Sequence, residues 1–460
     1  MSSGEQTSKA CENNVKMGEH EGLAVQAALA VLPVLAVIVV AGHDNTGGVI
    51  ETDDAGAMQI NSSDPLTQPV LLNGHDVLRT IEDQTSINVE QASMLMNQRN
   101  MLEDQASILA EQRSVIKSQA ELNANMSLRI ASLEREVCKL RVPGLSWIHG
   151  AGTGTFKWTG GVLAPNGLIY GVPNSATSVL IIDPTTNTLD TTTIAGLPSD
   201  VYKWLGGVLA PNNNIIYCLP NVHDSVLKID PSTNTADWTT ITNVASAEYK
   251  FRDGVLGNDG LIYGIPHEAT FVLIIDPNTD TIDTTTLGGL SPDPSKWWGG
   301  VVVPDGRIFC FPRDAEAVLI IDPNTSTLDT TSLDGFGNDD DKWAGGVLAR
   351  NGLIYGIPLY SGSVLIVDPE AMTADTTTIT GLAGIGGWIG GVLAANGKVV
   401  GIPFSSDAVL VVNPATNRAT SFTGVGASSS KYRGGVLAPN NRIYAIPSHA
   451  DNVLVIDVGC

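Results

Sequence analysis

Residues 157–198 read KWTGGVLAPNGLIYGVPNSATSVLIIDPTTNTLDTTTIAGLP, and four strand signals follow one another within them. GGVLA is the first, strand A, and PNG makes a tight turn into LIYGVP, strand B. Strand C, VLIID at 179–183, is apolar on both faces, as a strand enclosed between two layers must be. DPTTN then turns the chain. Pro184 presets φ there, and the Asp183 carboxylate caps the turn. Strand D, TLDTTTI, alternates and is rich in threonine, which suits a half-solvated edge.

The same unit recurs six more times. Equivalent positions fall at Gly160, Gly206, Asp253, Gly299, Gly345, Gly390 and Gly434, at separations of 46, 47, 46, 46, 45 and 44 residues. Four short strands per unit at this period predict a ring of blades, a seven-bladed β-propeller over residues 143–460. The seventh copy ends at Val453–Asp457 without a strand D. Before the first copy stands GLSWIHG, 144–150, in which Ile148 matches Ile194 and Gly150 matches Gly196 in register. This piece is expected to complete the last blade and remove both open sheet edges.

The run from NGLIYGVP (166–173) to IDPTTNT (182–188) resembles a kelch repeat, with Gly-Val-Pro where kelch has paired glycines. The turn is also similar to those of surface-layer and streptogramin-lyase-like propellers. The resemblance covers about 300 residues and implies the fold; propellers host many activities, so it assigns none.

Upstream, Gly22–Gly42 carries no charge and is long enough to cross a bilayer. Lys9 and Lys16 precede it, and no Lys or Arg follows until Arg79. The expectation is a cytosolic tail (1–21), a signal anchor (22–42) and export of the remainder to the cell exterior or a lumen. A cleaved signal peptide is the alternative. Residues 43–76, rich in Asp, Gly, Ser and Thr, read as a flexible linker.

A heptad period tiles 80–142, within a stalk expected over 77–142. Ile81, Leu95, Leu102, Leu109, Ile116, Ile130 and Val137 hold one seam position. Gln84, Gln91, Gln98, Gln105, Gln112 and Gln119 lead the other, before Met126, Leu133 and Leu140. This pattern predicts a coiled-coil stalk of about 95 Å and a homo-oligomer. A helix folded back on the head is the alternative.

Net charge is −23, from 48 acids and 25 bases, which repels phosphate backbones and argues against nucleic acid. Five cysteines without a CxxC or a Cys/His cluster argue against a zinc site. Closure of the ring brings Cys460 near Cys138, so a disulfide is expected there in an oxidising compartment. Cys218 and Cys310 share the strand B site of Gly171 and are expected to be buried. Sequons stand at Asn61, Asn125 and Asn324.

Candidate ligand residues come from the D–A connections, which end in a cation–aromatic pair: Lys157-Trp158, Lys203-Trp204, Lys250-Phe251, Lys296-Trp297, Lys342-Trp343 and Lys431-Tyr432. The sixth repeat has Gly387-Trp388. At a channel mouth these side chains would stack sugar rings and hold anions. Alternatively, each aromatic packs between blades beneath a lysine stem. His223, His267 and His449 read as surface histidines. The run Asp334–Asp341 is oxygen-rich enough for calcium, with a solvated acidic loop as the alternative. No other cofactor is expected. GxSxG, HExxH and P-loop patterns are absent from the chain. Blade three (Phe251-Arg252-Asp253-Gly254) and blade six depart most from the repeat. A binding or adhesion head for a glycan or a protein is the leading expectation, ahead of a lyase or hydrolase and of a surface-coat component.

Overall fold

A computed structural model describes residues 49–52, 58–61, 71–72, 75–140, 143–382 and 387–459. The chain divides into two units, residues 1–122 and 123–460. Among the described residues no helix is long and apolar enough to cross a membrane. The stretch 22–42 lies outside them, so the expected spanning helix has no structural support. Within 43–76, read as a plain linker, two short antiparallel pairs occur, Val49–Thr52 with Met58–Asn61 and Leu71–Leu72 with His75–Asp76. The heptad region is one helix of 64 residues, Val77–Leu140. Its seam side chains Leu95, Leu102, Leu109, Ile116 and Ile130 are all exposed.

Residues 144–457 form seven four-stranded antiparallel sheets. Blade one runs Trp158–Leu163, Ile169–Pro173, Leu180–Asp183 and Thr188–Asp190, strands A to D. Blade seven takes its strand D from the start of the head. Gly144–His149 pairs along its whole length with Asn452–Asp457, with Ile148 opposite Val453. In blade one the equivalent Val179 N–H donates to Ile194 O at 2.9 Å, so the register read from sequence is the register found.

The core lies between blades, because strands B and C bury both faces. One cluster joins Tyr170, Val172 and Ile181 of blade one to Trp204, Ile216 and Leu227 of blade two. The Asp-Pro turn closes as expected, with Asp183 Oδ1 accepting Thr185 N–H at 2.7 Å. It also receives the preceding blade. Tyr170 O–H reaches Asn234 Oδ1 at 2.8 Å, Tyr217 reaches Asp280 at 2.9 Å, and Tyr444 of the last blade reaches Asn187 of the first at 3.0 Å. Blade four has Phe309 at this site, and Arg307 donates instead to Pro369 O at 2.6 Å. The tyrosine and the turn of the repeat are thus two halves of one inter-blade link. Cys218 and Cys310 are buried and unpaired. Cys460 and the Cys138 side chain, the expected disulfide, lie outside the described residues.

Strand A lines the channel. In each blade its pairing with strand B shifts between the aromatic and the second glycine. The residue at the bulge has positive φ, +70° to +81° at six glycines. These glycines also approach one another across the blades. A Cβ on Gly299 would sit 2.8 Å from Gly345 Cα. On Gly196 (φ +81°) it would meet nothing within 4 Å. Gly299→Ala should therefore cost about 3 kcal/mol or more, and Gly196→Ala only the left-handed strain of ~1–2 kcal/mol. Melting of the intact chain followed by tryptophan fluorescence checks this, since equal losses would mean the waist tolerates a methyl group.

Candidate functional site at the channel mouth

The lysine–aromatic pairs lie inside the wall. Lys157, Lys203, Lys296, Lys342 and Lys431 are buried, as are Trp158, Trp204, Trp297, Trp343, Trp388 and Tyr432. Each lysine ammonium donates to a carbonyl three residues earlier, as Lys203 does to Asp200 O at 2.9 Å. Lys203 also reaches Asn174 O and Ala176 O of the preceding blade. Burial pulls Lys157, Lys203 and Lys296 down to about 8. Each indole N–H donates to its own blade at the start of strand C, as Trp204 does to Ser225 O at 2.7 Å. The pairs therefore fasten neighbouring blades, and a repeated motif with a repeated packing task explains their recurrence.

The next residue along strand A faces the channel: Thr159, Leu205, Arg252, Trp298, Ala344, Ile389 and Arg433. The residue before the lysine forms a second ring nearer the loops. Phe156, Tyr202, Tyr249, Ser295, Asp341 and Ser430 all hold φ between +51° and +58°, a conformation non-glycine residues seldom adopt. Phe156, Tyr202 and Tyr249 are partly exposed and adjacent, with ring centroids 5.1 and 6.1 Å apart.

These groups close into one circuit. Arg433 lies over Phe156 at 5.1 Å, and Arg252 over Tyr249 at 5.8 Å. Across the mouth both guanidiniums also meet Trp298, at 5.7 and 5.0 Å. Arg313 is a third cation on Trp298, at 5.8 Å, and is paired with Asp341. Below them lies a cavity of about 60 Å³, lined by Thr159, Arg252, Asp253, Trp298, Ile389 and Arg433 among others.

Burial first, then Arg433 and Arg313, lowers Arg252 to about 9. Burial lowers Arg433 to about 10. Both remain cations at neutral pH. His267, read from sequence as a surface histidine, is buried. Desolvation and the nearby Arg252, Arg313 and Lys296 hold it neutral, far below the usual range. His449 lies against Phe156 at 4.3 Å, and His223 against Trp204 at 4.9 Å. Asp253 takes the place of a waist glycine at φ +116°. Burial raises its carboxyl to about 6, against one N–H donor, Gly254, at 2.9 Å. Among the described residues no three carboxylate, imidazole or thiol groups are placed to hold a metal. In the run considered for calcium, Asp341 pairs with Arg313, and Asp339 O accepts from Lys342.

Fold and channel define a seven-bladed β-propeller with a cationic, aromatic mouth. Among solved structures it is similar to a streptogramin B lyase at 8% identity and TM-score 0.55, over 68% of this chain and 97% of the other. Virginiamycin B lyase from Staphylococcus aureus matches at 10% identity and TM-score 0.56, over 69% and 100%. The WD40 propeller domain of Doa1 matches at 11% and 0.51, over 68% and 97%. Identities this low show the fold alone. No family model and no curated protein matches the sequence, and the likeness to kelch repeats stays one of motif.

Proposed function

We infer that this chain is a non-catalytic binding or adhesion protein whose propeller takes a glycan or protein ligand at the channel mouth. One observation carries the reading. The repeat is nearly sevenfold, yet Arg252, Trp298, Arg433, Phe156 and Tyr249, which break it, meet in one circuit at one end of the channel. Packing alone does not require them, since Thr159, Ala344 and Ile389 hold the position of the arginines and Trp298, and Ser295 and Ser430 hold that of Phe156 and Tyr249. Partly exposed aromatic rings beside guanidiniums are the groups that anchor ligands at binding surfaces.

The remaining regions fit a presenting role. The apolar stretch 22–42 anchors the chain, leaving its bulk extracellular or lumenal. The exposed seam of Val77–Leu140 pairs with further copies, because a lone helix this polar has nothing to bury its leucines against. Several heads on one stalk would raise avidity without new contacts.

Full-length protein applied to arrays of immobilised glycans and of cell-surface proteins tests the reading. Saturable retention is expected, falling about tenfold or more in Phe156→Ala and Tyr202→Ala. Turnover of a compound without retention would replace this reading with the enzymatic one.

A further inference from the structure

Among the described residues, neither Arg252 nor Arg433 has a hydrogen bond or an ion pair, and the Nε atom of each is buried without a partner. Arg433 is only 9% exposed. Leaving a guanidinium so unsatisfied is costly, and folds normally supply a carboxylate. This chain has 48 carboxylate residues and a net charge of −23, yet among the described residues none forms an ion pair with either group, although Asp253 lines the same cavity. Glu268 acts on Arg252 only through space. At the same mouth Arg313 Nε, His267 Nδ1 and His449 Nε2 are also buried without a partner. The two guanidiniums lack an acceptor.

Size and shape restrict what supplies it. A cavity of about 60 Å³ takes a compact group, such as one oxyanion. A sugar ring does not fit, and anything larger than the anionic group must stay above, on Phe156, Tyr202 and Tyr249. These rings are partly exposed and lie between the two arginines. The apolar face of a saccharide matches such an arc, whereas an aspartate or glutamate side chain offers no flat face to stack.

The geometry points to an acidic glycan as the ligand, with a carboxylate or sulfate seated between Arg252 and Arg433 and the sugar ring against the aromatic arc. This rests on the binding reading above and narrows it. The arginines pay in stability for a charge that the ligand neutralises, as bidentate guanidinium–oxyanion contacts do.

Full-length protein is passed over immobilised polygalacturonate, dextran sulfate, dextran and polyglutamate at physiological salt. Retention is expected on polygalacturonate (carboxylate) or dextran sulfate (sulfate), which also tells the two anions apart, and not on dextran. A chain so acidic repels polyanions in general, so retention requires the local cations. Arg252→Met and Arg433→Met should each lower it about tenfold or more, with the melting temperature unchanged or raised. Arg433→Lys, keeping the charge, should lose less. Retention on polyglutamate at least equal to that on the acidic glycans would replace the glycan by an acidic peptide. Equal retention on dextran, or retention untouched in both methionine variants, would overturn the anionic assignment and leave the binding reading standing. Retention on none of the four would overturn it too; the protein array then decides the binding reading by itself.

Discussion

Deleting Gly144–His149 should unfasten the ring and lower the stability of the head by on the order of 5 kcal/mol. The strand contributes a full antiparallel pairing with Asn452–Asp457. Its two faces serve different interfaces, since Leu145 packs on the cluster shared by blades six and seven and Ile148 on that shared by seven and one. Half-burying two such side chains accounts for part of the loss. Exposure of a central strand as a bare edge accounts for the rest and adds a tendency to aggregate. For a head of about 310 residues, at ~2 cal/mol/K per residue, the midpoint should fall by roughly 8 °C. All eight tryptophans lie between Trp147 and Trp388, so fluorescence of the full chain follows the head alone. A midpoint within about 1 °C of the parent would mean that closure does not hold the ring together.

Asp253→Gly should act in the opposite direction and stabilise the protein by about 2–4 kcal/mol above pH 7. Two costs leave together. An L-residue at φ +116° is strained by ~1–2 kcal/mol where the other six blades have glycine. The carboxyl, raised to about 6 by burial, adds up to about 3 kcal/mol once it is ionised. Its sign follows from linkage. The folded value lies above the unfolded one, so the folded state holds more protons and stability falls as pH rises from about 4 through about 6. The gain from Asp253→Gly should therefore be small at pH 4, grow across that window and level off above it. Melting curves at pH 4, 5, 6 and 8 measure this, with a rise of roughly 3–6 °C expected at pH 8. A gain independent of pH would assign the whole cost to backbone strain. A loss would mean that the carboxylate has a partner in the folded protein.

Asp253→Gly bears on the mouth, because Asp253 and the two unpartnered arginines line one cavity. A buried charge without a partner is a local loss of stability, and such groups concentrate at functional sites. The waist position of blade three is the point at which repeat and channel conflict, and it lies next to Arg252.

The sequence by itself determined the number of blades, their strand order and the closing register. A period near 46 residues repeats a local code, and hydrophobic alternation, Asp-Pro turns and bulge glycines act within a few residues of one another. Even the pairing of Ile148 with Val453 was legible, because it copies a register found in the other blades. The long helix was legible for the same reason, its heptads being a local period. Tertiary structure decided which residues of the D–A connection face the channel mouth. Lys203 and Trp204 are conspicuous as a motif because they recur, and they recur because every blade interface needs them. The mouth is built from their neighbours, Tyr202 on one side and the Arg252 and Trp298 positions on the other. The only signal at these positions was departure from the repeat, plain at Arg252-Asp253 and, at Tyr202 and Arg433, hidden in positions that vary from blade to blade. A one-residue step along a strand reverses the face a side chain presents, and the bulge at each waist shifts that alternation further. Residues from blades one, two, three, four and seven therefore meet only once the ring has closed.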